Sequence, residues 1–404
     1  MENIYRTTCR LCGSSNLKDL ISIGEQYIND FPSSLEQKGR NGKCPLDVMI
    51  CRDCTLFQLR HTAPQELLYS RHYWYKSGIN DTIKGDLNDV VETSKRVVNF
   101  RKDDVFLDIG ANDGTMLKIL KGQAIRVGCE PAANLHDELK TNCEYMIDDF
   151  WSKENYERLK IGKAKVITAI GMFYDMEDPN QFIRDAAKVL ADDGVFIAQL
   201  MTLKPMLEHN DVGNICHEHL EFYTYQSLKY LFEKNGLEIY KVAENGINGG
   251  SYRLFARHFK TGSVDYPECY TEDELFKFEE RLKQERTKCV DYIREANRLG
   301  KKVYAYGAST KGNVILQYYG LDRTLIQGVA DRNPQKWGKY TLTDIPIVSE
   351  EEGRRYADLF LILPYGFINE FVRREKRWLE DGGEFVAPLP EFRVIREGDM
   401  RASK

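Results

Sequence analysis

The chain has 404 residues, with 57 Lys and Arg against 62 Asp and Glu and a formal net charge of −5. That length predicts two or three domains, each able to bury its own core. The acidic balance excludes a general polyanion-binding field, and no apolar run approaches the roughly 18 residues of a membrane span. The opening Met-Glu-Asn-Ile-Tyr-Arg lacks the apolar core of a secretion signal. Ten cysteines in such a chain predict metal ligands and buried thiols rather than disulfides, and a cytoplasmic protein.

Cys9-x-x-Cys12 and Cys51-x-x-Cys54 are two chelating knuckles. Four thiolates satisfy tetrahedral zinc and leave no open coordination position, so the expected role is structural. Cys44 lies between the pairs as a bystander. Tyr69 to Gly78 is dense in aromatics and hydroxyls, interrupted by Arg71, His72 and Lys76. That composition fits equally a packing cluster and a polar pocket wall.

Val105 to Gly114 reads Val-Phe-Leu-Asp-Ile-Gly-Ala-Asn-Asp-Gly. An apolar run ending in Asp108 predicts a buried parallel strand, Gly110 and Gly114 a tight turn, and Thr115 to Lys121 a helix. This is the first unit of a doubly wound nucleotide-binding domain. Asn112 stands where a dinucleotide loop carries its second glycine, and Asp113 puts an acid inside the loop. Both disfavour a phosphate and suit the ammonium and sulfonium of S-adenosylmethionine. Glu130 ends the second predicted strand at the spacing of a ribose-binding carboxylate. Asp148, Asp149 and Phe150 follow as candidate adenine contacts, with Gly171 after the third strand. Predicted strands at Val166–Ile170 and Val195–Leu200, helices at Asn180–Leu190 and Tyr225–Asn235, and a late antiparallel hairpin complete the domain.

Within it lies Cys216-His217-Glu218-His219. Two imidazoles beside a carboxylate offer a metal site or an acid/base site, and no further ligand cluster is evident to complete a catalytic metal. Thr271 to about Leu299 is charged, without Gly or Pro, and predicts a solvated linker helix. The chain then restarts a strand, turn and helix at Lys302. Gly307 to Gly312, with Ser309 and Lys311, is a candidate phosphate cradle. Asp331 follows at a spacing that keeps NAD binding open.

The ordered set of knuckles, Asp-Ile-Gly-Ala-Asn-Asp-Gly, Gly-Cys-Glu-Pro-Ala-Ala-Asn134, His-Glu-His219, Gly-Gly-Ser-Tyr-Arg253, Tyr-Gly-Ala-Ser-Thr-Lys-Gly-Asn313 and Leu-Pro-Tyr365 resembles the sugar C-methyltransferases that act on nucleotide-linked keto-deoxysugars. The resemblance spans almost the whole chain. It implies an α/β protein with a zinc-binding module over 1–70 and a class I, Rossmann-like methyltransferase domain over 71–260. A helical linker over 261–300 and a Rossmann-like nucleotide-sugar domain over 301–404 complete it. S-adenosylmethionine is expected in the central domain and the nucleotide-linked sugar in the cleft beside it. His219 is implied as the base that forms an enolate, Glu218 as its orienting neighbour, and Tyr75 as the hydrogen-bond partner of the sugar oxygen. Tyr73, His217, Tyr223, Asn248, Arg253, Gly307, Ser309, Lys311, Asn313, Asp331 and Tyr365 are the implied substrate contacts. No nucleic acid, no membrane, and a monomer or weak homodimer are expected.

The chain departs from the family at Cys216, where some members carry tyrosine, and over Gly171–Pro179, which replaces an Asn- and His-containing segment. An O- or N-methyltransferase stays open, because the same imidazole deprotonates a hydroxyl. A zinc-bearing RNA methyltransferase and an NAD-linked oxidoreductase are the readings from other classes.

Overall fold

The structure is a computed structural model that describes residues 2–70, 73–268 and 270–401, so Arg71 and His72 lie outside the described residues. The chain forms two compact units. One comprises residues 1–19, 49–203 and 218–270; the other comprises 20–48, 204–217 and 271–404. The division falls inside the strands Leu17–Tyr27 and Lys43–Cys51, so each strand contributes residues to both units.

The first unit is built on a seven-stranded sheet. Its strands are β1 (Val105–Ile109), β2 (Ile125–Cys129), β3 (Tyr145–Ile147), β4 (Ala164–Ile170), β5 (Leu190–Leu200), β6 (Leu237–Asn245) and β7 (Ser251–His258). Their spatial order is 6-7-5-4-1-2-3, with β7 antiparallel to both neighbours and the remaining pairs parallel. All five residues of β1 are buried, as a central parallel strand covered on both faces requires. The strand order reverses between β1 and β4, and ligands in such sheets bind beyond the carboxyl ends at that point. β5 starts five residues earlier than the sequence predicts, because Leu190 pairs with Ala164 across a register shift.

Helices close the faces. In α1 (Asp81–Val97), Asn80 caps the amides of Thr82 and Ile83, and Ile83, Leu87, Val90, Val91 and Ser94 are buried at helical spacing. Asp178 caps α2 (Pro179–Val189) by accepting from Gln181, with Pro179 in the first turn. Thr224 and Ser227 form a reciprocal cap on α3 (Tyr225–Lys234). Near the chain's start, Phe57–Leu59 pairs antiparallel with Glu221–Phe222.

The second unit opens its C-terminal part with α4 (Glu272–Arg298), capped by Thr271 and Glu274. Leu275, Phe278, Leu282, Cys289, Ile293 and Ala296 are buried along one stripe. The predicted linker helix is therefore packed along that face rather than solvated all round. A six-stranded sheet follows: β8 (Val303–Tyr306), β9 (Gly328–Asp331), β10 (Ile347–Ser349), β11 (Leu359–Ile362), β12 (Glu384–Ala387) and β13 (Arg393–Ile395). Its order is 10-9-8-11-12-13, parallel except for β13. Helix α5 (Thr310–Tyr319) leaves the carboxyl end of β8 through Gly307 to Ser309. Among the described residues, no helix is long and apolar enough to cross a membrane.

Candidate active site

The four knuckle sulfurs lie within 4.8 Å of one another. Cys9 and Cys54 are 3.5 Å apart at Sγ, and so are Cys12 and Cys51. Four sulfurs about 2.3 Å from one tetrahedral zinc sit about 3.8 Å from each other, so the cluster has the size and donor chemistry of a closed zinc site. The amide of Leu11 and Nε2 of Gln58 donate to Cys9 Sγ at 3.4 and 3.2 Å. Such N–H donors stabilise thiolate charge.

At the carboxyl end of β1, Asp108 is 4% exposed and Oδ1 accepts the Thr168 hydroxyl at 2.8 Å. Burial, opposed by that hydrogen bond, pushes its carboxyl up to about 7, and the Glu130 charge adds to the rise. The turn needs its glycines. Gly110 has φ +74, and a Cβ there would meet Cγ of Met172 at 2.7 Å. Gly114 has φ +75, and a Cβ there would meet Cβ of Asn142 at 2.8 Å. Asn112 holds φ +53, a left-handed conformation that asparagine tolerates. Glu130, just past β2, accepts the amides of Asn112 and Ala132, each at 2.9 Å, which ties the loop to the second strand. Burial raises its carboxyl despite those bonds. Asp148, Asp149 and Phe150 follow β3 and stay exposed. Gly171 follows β4 with φ +68. The carboxylates of Asp108, Asp113 and Glu130 around a glycine turn suit a cationic ligand such as S-adenosylmethionine, and their chemistry opposes a pyrophosphate.

The tyrosine stretch is fastened over this loop by main-chain bonds. Asn134 exchanges hydrogen bonds with the amide and carbonyl of Tyr73 at 2.9 and 3.1 Å. Asn112 donates to the Tyr75 carbonyl at 3.1 Å and accepts the Ser77 amide at 3.0 Å. Asp113 accepts the Gly78 amide at 2.7 Å and the Thr115 hydroxyl at 2.6 Å. Burial raises the phenol of Tyr73 well above its ordinary value, with the carboxylates of Asp175, Glu218 and Glu130 adding to it. Tyr75 is 44% exposed, with its ring 6.5 Å from that of Tyr73.

His219 is half-buried against the loop that follows β4. Its imidazole meets the Tyr174 ring edge-on, centroids 4.4 Å apart. The Tyr174 carbonyl accepts the amides of Leu220 and Glu221 at 2.8 and 3.1 Å, pinning the chain just beyond the histidine. Glu218 is buried, and its carbonyl accepts the Tyr69 hydroxyl at 2.9 Å. Asp175 is buried beside it; burial, then the charges of Glu218 and Glu221, push its carboxyl well up. Thr168 and Asp175 were not singled out from the sequence, and Tyr69 entered only as the first residue of the aromatic stretch. Asp175 does lie in the Gly171–Pro179 segment that departs from the family pattern.

Other candidates have structural partners. Arg253, on β7, is 6% exposed and pairs with Asp86 at 2.8 Å, Asp89 at 2.6 Å and Gln199 at 2.7 Å. Tyr223 is fully buried and stacks on Phe173 at 5.8 Å. Asn248 turns the chain between β6 and β7 with φ +56.

Six candidates gather in the second unit around the carboxyl ends of β8, β9 and β11. Gly307 has φ +85, and a Cβ there would meet Pro364 at 2.6 Å. Ser309 caps α5 by accepting the Gly312 amide at 3.0 Å. Lys311 pairs with Asp211 at 2.8 Å, and the Tyr365 hydroxyl bonds the other oxygen of Asp211. Asn313 donates to Asn29 at 2.9 Å. Asp331 accepts the amides of Ala308 and Asn333, each at 2.7 Å, so its carboxylate braces the loop. His217 is buried in the same unit with Nε2 3.0 Å from the Cys44 carbonyl, and burial lowers its pKa to about 4.

Three family models match successive parts of the chain: a zinc binding domain over residues 9–69, a methyltransferase domain over 87–242, and a C-methyltransferase C-terminal domain over 246–390. The chain is 28% identical to C-methyltransferase NovU of Streptomyces niveus, over 98% of this chain and 99% of that protein. Among solved structures, the magnesium protoporphyrin IX methyltransferase of Synechocystis PCC 6803 with bound SAM is 12% identical, with TM-score 0.34, over 44% of this chain and 79% of that one. The N-methyltransferase NodS of Bradyrhizobium japonicum WM9 is 11% identical, with TM-score 0.34, over 45% and 98%. The matched domains, their order and the four-cysteine cluster make this chain an S-adenosylmethionine-dependent methyltransferase with a zinc-binding cluster, similar to the C-methyltransferases.

Proposed function

We propose that the protein methylates a carbon next to the ketone of a nucleotide-linked keto-deoxysugar, with His219 as the base. The observation that carries this reading is the imidazole of His219 held edge-on by Tyr174 of the loop beyond β4, with the Tyr69 hydroxyl bonded to the carbonyl of the adjoining Glu218. A carbon next to a carbonyl becomes nucleophilic on losing a proton, and a neutral imidazole near physiological pH is suited to take it. Glu218 orients or steadies the imidazole as its chain neighbour. Tyr73 or Tyr75 donates to the oxygen where negative charge develops, a role for which one donor typically contributes about 10²–10³ in rate. S-adenosylmethionine, when bound, supplies the electrophilic methyl group. Asp108, Glu130 and the Gly110–Gly114 turn hold that cofactor.

Incubating the protein with S-adenosylmethionine and a panel of nucleotide-linked keto- and hydroxy-sugars tests the reading. A product 14 mass units heavier, in the sense of one added CH₂ by elementary chemistry (~14), is expected only from keto sugars, with the methyl on carbon by NMR. A methyl on oxygen or nitrogen would replace this reading.

A further inference from the structure

Arg10 stands between the two cysteines of the first knuckle and is 4% exposed. Its guanidinium donates through Nη1 to the Leu59 carbonyl at 2.6 Å and Gln58 Oε1 at 3.3 Å, and through Nη2 to the Thr62 hydroxyl at 2.6 Å. Nε donates to Glu177 at 3.2 Å and lies 4.0 Å from the buried carboxylate of Glu221. Glu177 also accepts the Thr62 hydroxyl at 2.7 Å and Arg6 at 2.5 Å. The main chain of the knuckle is gripped as well. Asn180 donates to the carbonyls of Arg10 and Leu11 at 3.2 and 2.9 Å, and Lys234 to that of Leu11 at 3.0 Å.

Glu177 and Asn180 bracket the junction between the loop after β4 and helix α2. That loop carries Tyr174, whose ring and carbonyl fix His219 and the residues after it. One connected path therefore runs from the metal ligands through Arg10 and Glu177 to the imidazole. A zinc knuckle that only folded the N-terminal residues would not need this. Burying a guanidinium among carboxylates costs desolvation energy unless the geometry is well matched, and here its planar fork meets four acceptors. Placing a reacting group is a use that justifies such rigidity, since a shift near 1 Å can cost about 100-fold in rate.

We infer that Arg10 is a positioning residue: anchored by the zinc knuckle, it holds Glu177 and so sets the loop that places His219 against Tyr174. The inference rests on the reading of His219 as the base. The full-length, zinc-loaded protein is compared as E177Q, R10K, Y174L and H219N. Loss of one resonance in H219N identifies the His219 ring in a ¹H–¹³C spectrum, and Y174L gives its position without the neighbouring aromatic ring. E177Q is expected to move that resonance part of the way toward its Y174L position. It should lower kcat about 10-fold or more, with zinc content and S-adenosylmethionine affinity within about twofold of wild type. R10K should shift it less, because an ammonium keeps the charge and loses the fork. If E177Q leaves both the resonance and kcat unchanged, or lowers kcat only along with zinc content, the inference is wrong. Should R10K fail to fold, E177Q decides. If H219N turns over normally, the base reading fails by itself, and the resonance still tells whether Glu177 and Arg10 set the loop.

Discussion

Tyr174 and His219 lie 45 residues apart in the chain numbering (219 − 174), yet their rings touch edge to face with centroids 4.4 Å apart. The Leu220 amide bonds back to the Tyr174 carbonyl at 2.8 Å, so the contact is held at ring and main chain together. An imidazole fixed in this way is held in one orientation, as the proposed general-base role requires.

Replacing His219 by Asn removes the basic nitrogen and keeps a polar side chain. Turnover is expected to fall by about 10²–10⁴, the usual range for a general base. S-adenosylmethionine affinity by calorimetry should stay within a few-fold of wild type, and full retained activity rejects the assignment.

Glu130 accepts two loop amides, so Glu130→Ala loosens the turn and removes the expected ribose contact. The dissociation constant for S-adenosylmethionine should rise at least about 10-fold, or roughly 1.4 kcal/mol. Unchanged affinity in a titration would reject the contact.

Asp108 gives a pH signature. Its carboxyl sits at about 7 in the fold against an ordinary 3.8, so the folded state holds a proton that the unfolded chain releases between those values. Ligand-free stability should therefore decline as pH rises from about 4 to 7 and carry the full penalty above that. Asp108→Asn should remove this slope and raise the melting temperature at pH 8, by an effect on the order of 1–4 kcal/mol, while weakening S-adenosylmethionine binding. Equal slopes in the two proteins would show that Asp108 is not the group responsible.

His217 has the opposite sign. Burial depresses it to about 4 from an ordinary 6.5, so the unfolded chain binds a proton that the fold refuses. The stability it leaves intact above pH 6.5 is lost as pH falls toward 4. His217→Gln, which can still donate to the Cys44 carbonyl, should flatten that acid limb of a denaturation series. A limb as steep as in wild type counts against it.

Stripping zinc or making Cys12→Ser leaves the remaining thiolates without a shared cation. The melting temperature should drop by several degrees, and a metal-free protein with an unchanged melting curve would argue against a structural site.

The glycine turn and the cysteine pairs were legible because each is a local device. A φ near +74 at Gly110, or two thiols spaced to reach one ion, is written in a handful of neighbouring residues. Arg253 was not legible as a structural cation, since its partners Asp86 and Asp89 come from a helix over 160 residues upstream, a separation of 167 for Asp86. The strand Ile347–Ser349 is too short for its pattern to stand out, and β3 spans three residues with only Ile147 buried. Arg10 and Asp175 draw their character from acids that the fold brings to them, so neither spacing nor composition marked them. His217 and His219, separated by a single residue, differ for the same reason: one is sealed against a carbonyl and the other meets an aromatic ring edge to face.

The tethers over the cofactor turn grasp Tyr73, Tyr75, Ser77 and Gly78 by amide and carbonyl alone. Gly78 is constrained in identity there, since a Cβ would strike Asp113 at 2.8 Å. The route of the ribbon is thereby set through its main chain, without calling on the phenol oxygens at positions 73 and 75.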